Sequence, residues 1–298
     1  MDTEGVLTID DEALIGSAKA DFTSIYDQAD PRAYFRTLGG LDYQIPQQSL
    51  PVLQAVLAAS QRDGRPRTVL DVCCSYGINA ALLRYDVQLA EIRARYADPA
   101  SDDLSVEELI EADARFYAER RRSPDVPVLG LDIAESAIDY ACRAGLITGG
   151  FAEDLESTDP SPVLAAGVRE VGLIISTGGV GYVGHPTFDC LLQVVKSPED
   201  LWLAVFVLRA FSYDDIAGML AGYGLVTEHV PDVTFRQRRF ADRSEYDAAI
   251  HDVELRGLDP AGKEAEGWYH AECFITRPAA AVAATSLAEL LQGALPED

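Results

Sequence analysis

The sequence predicts an α/β fold, in which a mostly parallel sheet carries helices on both faces. Short runs rich in β-branched residues alternate with longer helical stretches, an order typical of such sheets. Four runs are almost continuously apolar, as strands buried on both faces are: residues 68–73, 127–132, 171–177 and 201–208. A later run, residues 268–276, alternates apolar and polar side chains and indicates an antiparallel last strand.

Composition and spacing divide the chain into a cap, a sheet domain and a tail. The predicted regions are a helical cap or lid at 1–65, a sheet domain at 66–277, and a linker with a short helix at 278–298. An amphipathic stretch at 50–60 supports a helix in the cap. The strongly charged residues 86–125 have helical spacing and predict a helical insertion after the first strand. In the tail, residues 278–285 predict a flexible linker, and Ser286 with Glu289 predicts a capping box.

Charge and hydropathy disfavour several classes of partner. The chain has 49 acidic residues against 24 Lys and Arg, which gives a net charge of −25 at pH 7. Because the acidity is spread along the chain without a basic stripe, we expect no nucleic-acid partner. The longest apolar stretch, residues 201–208, is far shorter than the ~20 residues that span a bilayer, so we expect no membrane partner. The acidic first dozen residues are unlike a secretory signal and predict a cytoplasmic protein.

The cysteines and histidines do not form a recognisable metal-binding pattern. Five cysteines stand at positions 73, 74, 142, 190 and 273, and four histidines stand apart at 185, 229, 251 and 270. Their spacing is unlike that of a structural zinc site. We therefore predict reduced thiols and no metal ion, with a site assembled by the fold left open.

Small and polar residues follow the first strand, at the edge where α/β sheets bind their ligands. The turn at 73–77 reads Cys-Cys-Ser-Tyr-Gly, and a helix is expected to begin near Ile78. Its N-terminal amides would point toward the same place. The second strand ends at Asp132, where an acidic side chain can accept both hydroxyls of a ribose. These residues predict a nucleoside-binding crevice.

Four segments resemble the motifs of the class I S-adenosylmethionine-dependent methyltransferases. They are VLDVCCSYG, GLDIAESAIDYA, FAEDL and LIISTGGVGYV, within residues 68–230. The first motif of the family usually carries three alternating glycines, whereas here Cys73 and Ser75 replace the first two and Gly77 remains. Asp71 and Asp132 stand 61 positions apart, more than in the family, and the helical insertion accounts for the difference. The resemblance implies a Rossmann-like methyltransferase sheet with S-adenosyl-L-methionine as cofactor.

The resemblance also implies which residues contact each part of the cofactor. The turn after the first strand would surround its amino acid and ribose, and Asp132 would accept the ribose hydroxyls. Asp154 would face the adenine amine, while Thr177 and Gly178 would lie beneath the methionine part and the sulfonium. The complete set of implied cofactor-binding residues is Asp71, Cys73, Ser75, Tyr76, Gly77, Asp132, Ile133, Glu153, Asp154, Thr177 and Gly178.

Two residues of the loop after the fourth strand are candidate catalytic groups. His185 could act as a general base, because a neutral imidazole accepts a proton near pH 7. It could equally bond its own backbone beside Pro186. Tyr182, like Tyr76, could offer its ring face to the sulfonium, with packing in the core as the alternative.

The cap contributes three candidate substrate or lid residues. Arg36 could clamp a carboxylate with its planar fork, or form a surface ion pair. Tyr34 and Tyr43 could anchor the cap or close the site to water.

Three functions follow from these features. The first is methyl transfer to a small molecule, a metabolite or natural-product intermediate, at an oxygen, nitrogen or carbon atom. The second is cyclisation of the cofactor to azetidine-2-carboxylate with release of methylthioadenosine, motivated by the altered glycine motif and the aromatic cap. The third is a relative that binds the cofactor without turnover. A homodimer is possible in each case.

Overall fold

The computed structural model describes residues 23–61, 67–123 and 125–296, and these form one eight-stranded sheet with helices on both faces. The strands are β1 Thr68–Val72, β2 Val128–Asp132, β3 Gly149–Ala152, β4 Val171–Thr177, β5 Trp202–Leu208, β6 Leu225–His229, β7 Phe235–Arg239 and β8 Trp268–Pro278. Their order is β3-β2-β1-β4-β5-β8-β6, and β7 pairs with β8. Strands β1 to β5 pair in parallel, while β8 runs antiparallel to β5. The predicted Rossmann-like sheet with an antiparallel last strand is confirmed.

The helices of the described residues are α1 Thr23–Tyr26, α2 Arg32–Gly40, α3 Ile45–Ala59, α4 Ile78–Arg84, α5 Leu89–Ala97, α6 Val106–Ala118, α7 Glu135–Arg143, α8 Pro162–Gly167, α9 His185–Val194, α10 Asp214–Gly222, α11 Arg243–Leu255, α12 Ala279–Ala284 and α13 Leu287–Leu290. They cover two apolar cores. Val69 and Leu70 are neighbours on β1 but lie in different cores, because successive strand residues point to opposite faces. Helices α3, α4 and α7 pack on one face, and α8, α9 and α10 on the other.

The direction in which successive strands are added to the sheet reverses at β1. β2 and β3 lie on one side of β1, and β4 and β5 lie on the other. The connections that leave β1 and β4 therefore diverge, which opens a crevice at the carboxyl ends of these strands. This switch point is where the sequence placed the nucleoside crevice.

The described part of the predicted cap, residues 23–61, is joined to the far edge of the sheet, while residues 1–22 and 62–65 of that prediction lie outside the described residues. Between α2 and α3, the N–H of Gln44 donates to the carbonyl of Gln237 at 2.6 Å, and the N–H of Arg239 donates to the carbonyl of Leu41 at 2.7 Å. These bonds fix the α2–α3 turn against β7. Helix α3 ends at Ala59, close to the end of the predicted amphipathic stretch.

The predicted helical insertion contains α5 and α6, and a buried carboxylate attaches it to the sheet domain. Asp113 of α6 accepts hydrogen bonds from the hydroxyls of Tyr96 at 2.8 Å and Tyr140 at 2.9 Å. It also accepts one from Arg95 at 2.6 Å. Because Tyr140 belongs to α7, this network connects three helices across the boundary of the insertion.

The tail differs in part from its prediction. The segment expected to be a flexible linker contains helix α12, Ala279–Ala284. Alanine has the highest helix propensity, and the helix is short enough to start directly after Pro278. It lies beside β6 and β8. The predicted capping box of Ser286 and Glu289 is confirmed at the start of α13.

Candidate functional site

A cavity of about 700 Å³ lies at the carboxyl ends of β1, β2 and β4. Its volume falls within the range of small-molecule sites, about 300–1,000 Å³. At one end it is lined by residues that follow β1, β2 and β3, among them Ser75, Asp132 and Asp154. At the other end it is lined by the cap and β7, including Tyr43 and Gln237. The cavity therefore joins the predicted cofactor crevice to the cap.

The turn after β1 has a backbone that normally requires glycine. Cys73, Ser75 and Gly77 all have positive φ angles, of 59°, 48° and 76°. A left-handed conformation costs a residue with a side chain about 1–2 kcal/mol. Cys73 and Ser75 thus replace the glycines of the motif in sequence but keep the glycine conformation. Strained residues of this kind are concentrated at functional sites.

Asp132 holds this turn from the neighbouring strand. Its Oδ2 accepts a hydrogen bond from the N–H of Ser75 at 2.8 Å, and its Oδ1 accepts one from the N–H of Ala134 at 3.0 Å. Burial raises the pKa of the Asp132 carboxyl above its usual value, and these backbone bonds partly oppose that rise. Each oxygen keeps a second lone pair. Asp132 could therefore accept two hydroxyl groups from a ligand in the cavity.

A second acid lies beneath the cavity and is fully buried. Asp71 Oδ1 accepts a hydrogen bond from the Asn79 side chain at 3.0 Å, and the same Asn79 nitrogen donates to the Thr177 hydroxyl at 3.1 Å. Asp71 Oδ2 has no hydrogen-bond partner among the described residues. Burial raises the pKa of Asp71 to about 7; the Asn79 bond lowers it and the charge of Asp132 raises it further. The sequence prediction missed Asn79, although it stands in the first turn of the helix that follows the motif.

Two further features characterise the cavity wall, a hydroxyl without a partner and two tightly packed glycines. The hydroxyl of Ser75 is buried and has no hydrogen-bond partner in the described part of the chain. At Gly179, a Cβ atom would come within 3.0 Å of the Cys73 sulfur. At Gly178, a Cβ atom would collide with the Gln237 side chain. The wall therefore combines an orphaned hydroxyl with glycines that leave no room for larger residues.

Two acids after β3 line the same end of the cavity, and both are held by their own loop. Glu153 accepts hydrogen bonds from the N–H and hydroxyl of Ser161 at 2.9 and 2.6 Å. Asp154 accepts one from the Ser157 hydroxyl at 2.6 Å. Ile133 lies at the rim with 73% of its side chain exposed. An apolar side chain in that position could pack on a flat ligand such as a nucleobase.

Three predicted cofactor residues support the site from behind and do not line it. Asp71 lies beneath Asn79, and Gly77 is the residue before α4. The Tyr76 hydroxyl donates to the carbonyl of Ile25 or Gln28, each at 3.1 Å, and accepts from the N–H of Gln28. Tyr76 therefore connects the turn after β1 to the cap.

The two predicted catalytic residues have different positions. Tyr182 lines the cavity with 58% of its side chain exposed. His185 is the exposed first residue of α9 and does not belong to the lining that the described residues form. Their loop is fixed by Glu156, whose Oε1 accepts hydrogen bonds from the N–H groups of Gly184 at 2.9 Å and Thr187 at 3.1 Å. The Thr187 hydroxyl donates to the same oxygen.

The predicted lid residues are also separated. Tyr34 and Tyr43 line the cavity. Arg36 instead faces the helical insertion, where it donates to the carbonyl of Tyr96 at 2.9 Å and pairs with Asp102 at 2.6 Å. The structure does not bring Arg36 to the cavity.

Strand β7 supplies lining residues that sequence reasoning missed. Arg238 lines the cavity and forms a bidentate pair with Glu245, at 2.8 and 2.6 Å. Glu245 also accepts a hydrogen bond from the N–H of Ala241 at 2.7 Å. Gln237 lies beside Arg238 on the same wall.

The described residues contain no group of three or more His, Cys, Asp and Glu side chains that could hold a metal ion. Their helices are all too short or too polar to cross a bilayer.

No family model and no curated protein sequence matches the chain. Among solved structures, the chain is similar to a TehB-like SAM-dependent methyltransferase from Corynebacterium glutamicum. The two sequences are 15% identical, the match covers 81% of this chain and 93% of that chain, and the TM-score is 0.39. It is also similar to a SAM-dependent methyltransferase from Aquifex aeolicus, with 14% identity, coverages of 87% and 100%, and a TM-score of 0.39.

A third similar structure is an O-methyltransferase from a trans-AT PKS multienzyme of Brevibacillus brevis, in complex with S-adenosyl-L-homocysteine. Here the identity is 14%, the coverages are 77% and 72%, and the TM-score is 0.38. All three are methyltransferases, the class whose motifs the sequence resembles.

Proposed function

We propose that this protein is a SAM-dependent methyltransferase that acts on a small molecule. The observation that carries the proposal is a single cavity with two chemically different ends. One end has Asp132, the glycine-like turn at 73–77 and the orphaned Ser75 hydroxyl. The other end has the aromatic side chains of the cap.

The residues at the first end fit S-adenosyl-L-methionine. Asp132 has free lone pairs for the ribose hydroxyls, and Ser75 has a hydroxyl ready to bond a polar group of the cofactor. Ile133 and Asp154 would hold the adenine, and Thr177 and Gly178 would lie along the methionine part. When bound, the cofactor supplies an electrophilic methyl group on a positively charged sulfur.

The chain would contribute mainly orientation and exclusion of water. Of the cap side chains that line the cavity, Tyr34 is buried and Tyr43 is partly buried, so they would shield a bound acceptor from solvent. Methyl transfer neutralises the positive charge on the sulfur of the cofactor. The reaction therefore depends more on an aligned nucleophile in a site without water than on a strong acid or base. Tyr182 could add a ring face near the reacting groups.

The cavity volume of about 700 Å³ supports methyl transfer over cyclisation of the cofactor, since a self-reaction needs no room for an acceptor. The overall charge of −25 supports a small-molecule acceptor over a nucleic acid. The cytoplasmic location and the homodimer stay predictions.

Product analysis tests the proposal. The purified protein would be incubated with S-adenosyl-L-methionine, with and without a panel of small hydroxylated and aminated compounds. We expect S-adenosylhomocysteine to form only when an acceptor is present. Methylthioadenosine without an acceptor would indicate cyclisation, and binding without any product would indicate a non-catalytic relative. If equilibrium dialysis with labelled S-adenosyl-L-methionine detected no binding, all three functions would be excluded.

A further inference from the structure

Gln237 is a buried side chain whose polar group has no partner. Only 8% of the residue is exposed, and it lines the cavity on β7. Its backbone carbonyl accepts a hydrogen bond from Gln44, but its carboxamide makes none with any residue that the structure describes. Neither atom of this carboxamide is among the fully buried atoms that lack a partner, so the group is open to the cavity. A ligand in the cavity can therefore complete its hydrogen bonds.

The carboxamide lies beside the carboxyl end of β4, where its nitrogen occupies the space that a Cβ atom on Gly178 would need. The position is held from behind, because the Gln44 bond fixes the backbone of β7. The side chain therefore has a defined place on the wall between the sheet and the cap.

The surroundings of Gln237 at the cap end are aromatic. The rings of Tyr26 and Tyr34 are 5.5 Å apart, and those of Tyr34 and Tyr43 are 6.1 Å apart, in edge-to-face arrangements. Burial raises the pKa of Tyr43 to about 12, so its phenol stays neutral near pH 7. Phe211 packs against Gly181 on the opposite side. Walls of this kind favour a planar aromatic ligand.

The charges around the cavity disfavour an anionic ligand. Arg238 is the one basic residue among the lining residues described, and Glu245 already pairs with both sides of its fork. Several acids line the same cavity: Asp27, Asp132, Glu153, Asp154 and Glu156. An acceptor with a net negative charge would therefore meet a negative field without a free cation of the protein to balance it, whereas the carboxylate of S-adenosyl-L-methionine is balanced by the cofactor's own ammonium and sulfonium groups.

We propose that Gln237 binds a hydroxyl group of the acceptor, and that the acceptor is an uncharged hydroxylated aromatic compound. A phenol hydroxyl both donates and accepts, and a carboxamide offers one group for each role. The aromatic walls hold the ring, and Gln237 fixes its orientation in the plane. That the bound compound is a methyl acceptor rests on the proposed function, whereas its binding beside Gln237 does not.

Calorimetry with three related compounds tests this inference. Methyl 4-hydroxybenzoate is neutral and has the hydroxyl, methyl benzoate lacks the hydroxyl, and 4-hydroxybenzoate is an anion at pH 7. Each would be titrated into the full-length protein, alone and with S-adenosylhomocysteine present. We expect the neutral phenol to bind about 10-fold more tightly than methyl benzoate, as one hydrogen bond to a buried group implies, and the anion to bind more weakly than its ester.

The variant Gln237→Leu keeps the size of the side chain and removes its hydrogen bonds. It should bind both esters equally, with the affinity for methyl benzoate unchanged from the wild type. Gln193→Leu, on the exposed surface of α9, is the matched control and should keep the preference of the wild type. A midpoint of urea denaturation close to that of the wild type would show that Gln237→Leu is folded.

The inference is overturned if the wild type binds none of these compounds, if it does not prefer the neutral phenol, or if Gln237→Leu keeps that preference. Failure of the proposed function would look different, because S-adenosylhomocysteine would then fail to bind while the preference among the three compounds could persist.

Discussion

The carboxylate of Asp132, at the end of β2, accepts a 2.8 Å hydrogen bond from the backbone N–H of Ser75 in the turn after β1. These residues are 57 positions apart in sequence. Ser75 makes this bond from a left-handed backbone conformation, with a φ angle of 48°. The acid proposed to bind a ribose and the strained turn beside it are therefore parts of one arrangement.

Asp132→Asn should weaken the binding of S-adenosyl-L-methionine by about 10–100-fold, because a hydrogen bond to a charged group contributes about 1.5–3 kcal/mol. Isothermal titration calorimetry measures the effect. Asp139→Asn, an exposed acid on α7, is the control and should leave the affinity unchanged. An affinity of Asp132→Asn within twofold of the wild type would remove the ribose role from Asp132.

The strain at Ser75 predicts an unusual order of stability between two variants. Ser75→Gly relieves the left-handed strain, whereas Ser75→Ala keeps it, and both remove the orphaned hydroxyl. We expect the glycine variant to be more stable than the alanine variant by about 1 kcal/mol in urea denaturation. In the interior of α11, by contrast, glycine should be less favourable than alanine. Ala248→Gly should therefore lower the free energy of unfolding by about 1 kcal/mol. Equal stabilities of the two Ser75 variants would show that the turn relaxes when it is mutated.

Burial of Asp71 predicts that stability falls as pH rises. Its pKa is raised from 3.8 to about 7 in the folded protein, so the folded state keeps a proton that the unfolded state releases. Between about pH 4 and pH 7 the folded state binds more protons, and the free energy of unfolding therefore decreases with increasing pH. Above pH 7 this contribution is constant. The shift sets an upper limit of about 4 kcal/mol on the total effect.

Asp71→Asn removes this titration, so its stability relative to the wild type should increase from pH 4 to pH 7 and then level off. Urea denaturation at several pH values, without cofactor, measures the difference between the two proteins. Titrating groups that do not interact with Asp71 contribute equally to both proteins and cancel. A difference that does not change with pH would mean that Asp71 titrates normally.

Local patterns predicted the sheet and the edge that carries the site, but they did not predict the direction of every side chain. The buried strands are readable because each is a continuous apolar run. Tyr34 and Arg36 stand two positions apart on α2, which places them about 200° apart around the helix. Tyr34 consequently faces the cavity and Arg36 faces the insertion. At the start of α9, Thr187 lines the cavity while His185, two positions earlier, is exposed.

Strand β7 could not be recognised from its sequence, FRQRR, which has no apolar alternation. Its pairing with β8 is irregular between Arg236 and Arg239. Such an irregularity turns successive side chains away from strict alternation, which accounts for Gln237 and Arg238 lining the same cavity. Only long-range pairing defines this part of the site.

Hydrogen bonds to Glu156 keep the loop that carries Tyr182 in place. Its carboxylate accepts hydrogen bonds from the N–H groups of Gly184 and Thr187, at the start of α9, where a negative charge is also favoured by the helix dipole. Glu156→Ala should therefore increase the hydrogen-exchange rates of these two amides by about 10–100-fold, corresponding to the loss of about 1.5–3 kcal/mol. Mass spectrometry or NMR of the free protein measures these rates.

Glu170→Ala is the matched control, because Glu170 is an exposed acid that pairs with Lys196 away from the cavity. Its substitution should leave exchange at Gly184 and Thr187 unchanged. If the amides exchanged at the wild-type rate in Glu156→Ala, their protection would come from the packing of α9 alone. Faster exchange would show that the carboxylate of Glu156, which follows β3, holds the loop and thereby positions Tyr182 beside the cavity. Acceptor binding would then depend on both sides of the crevice.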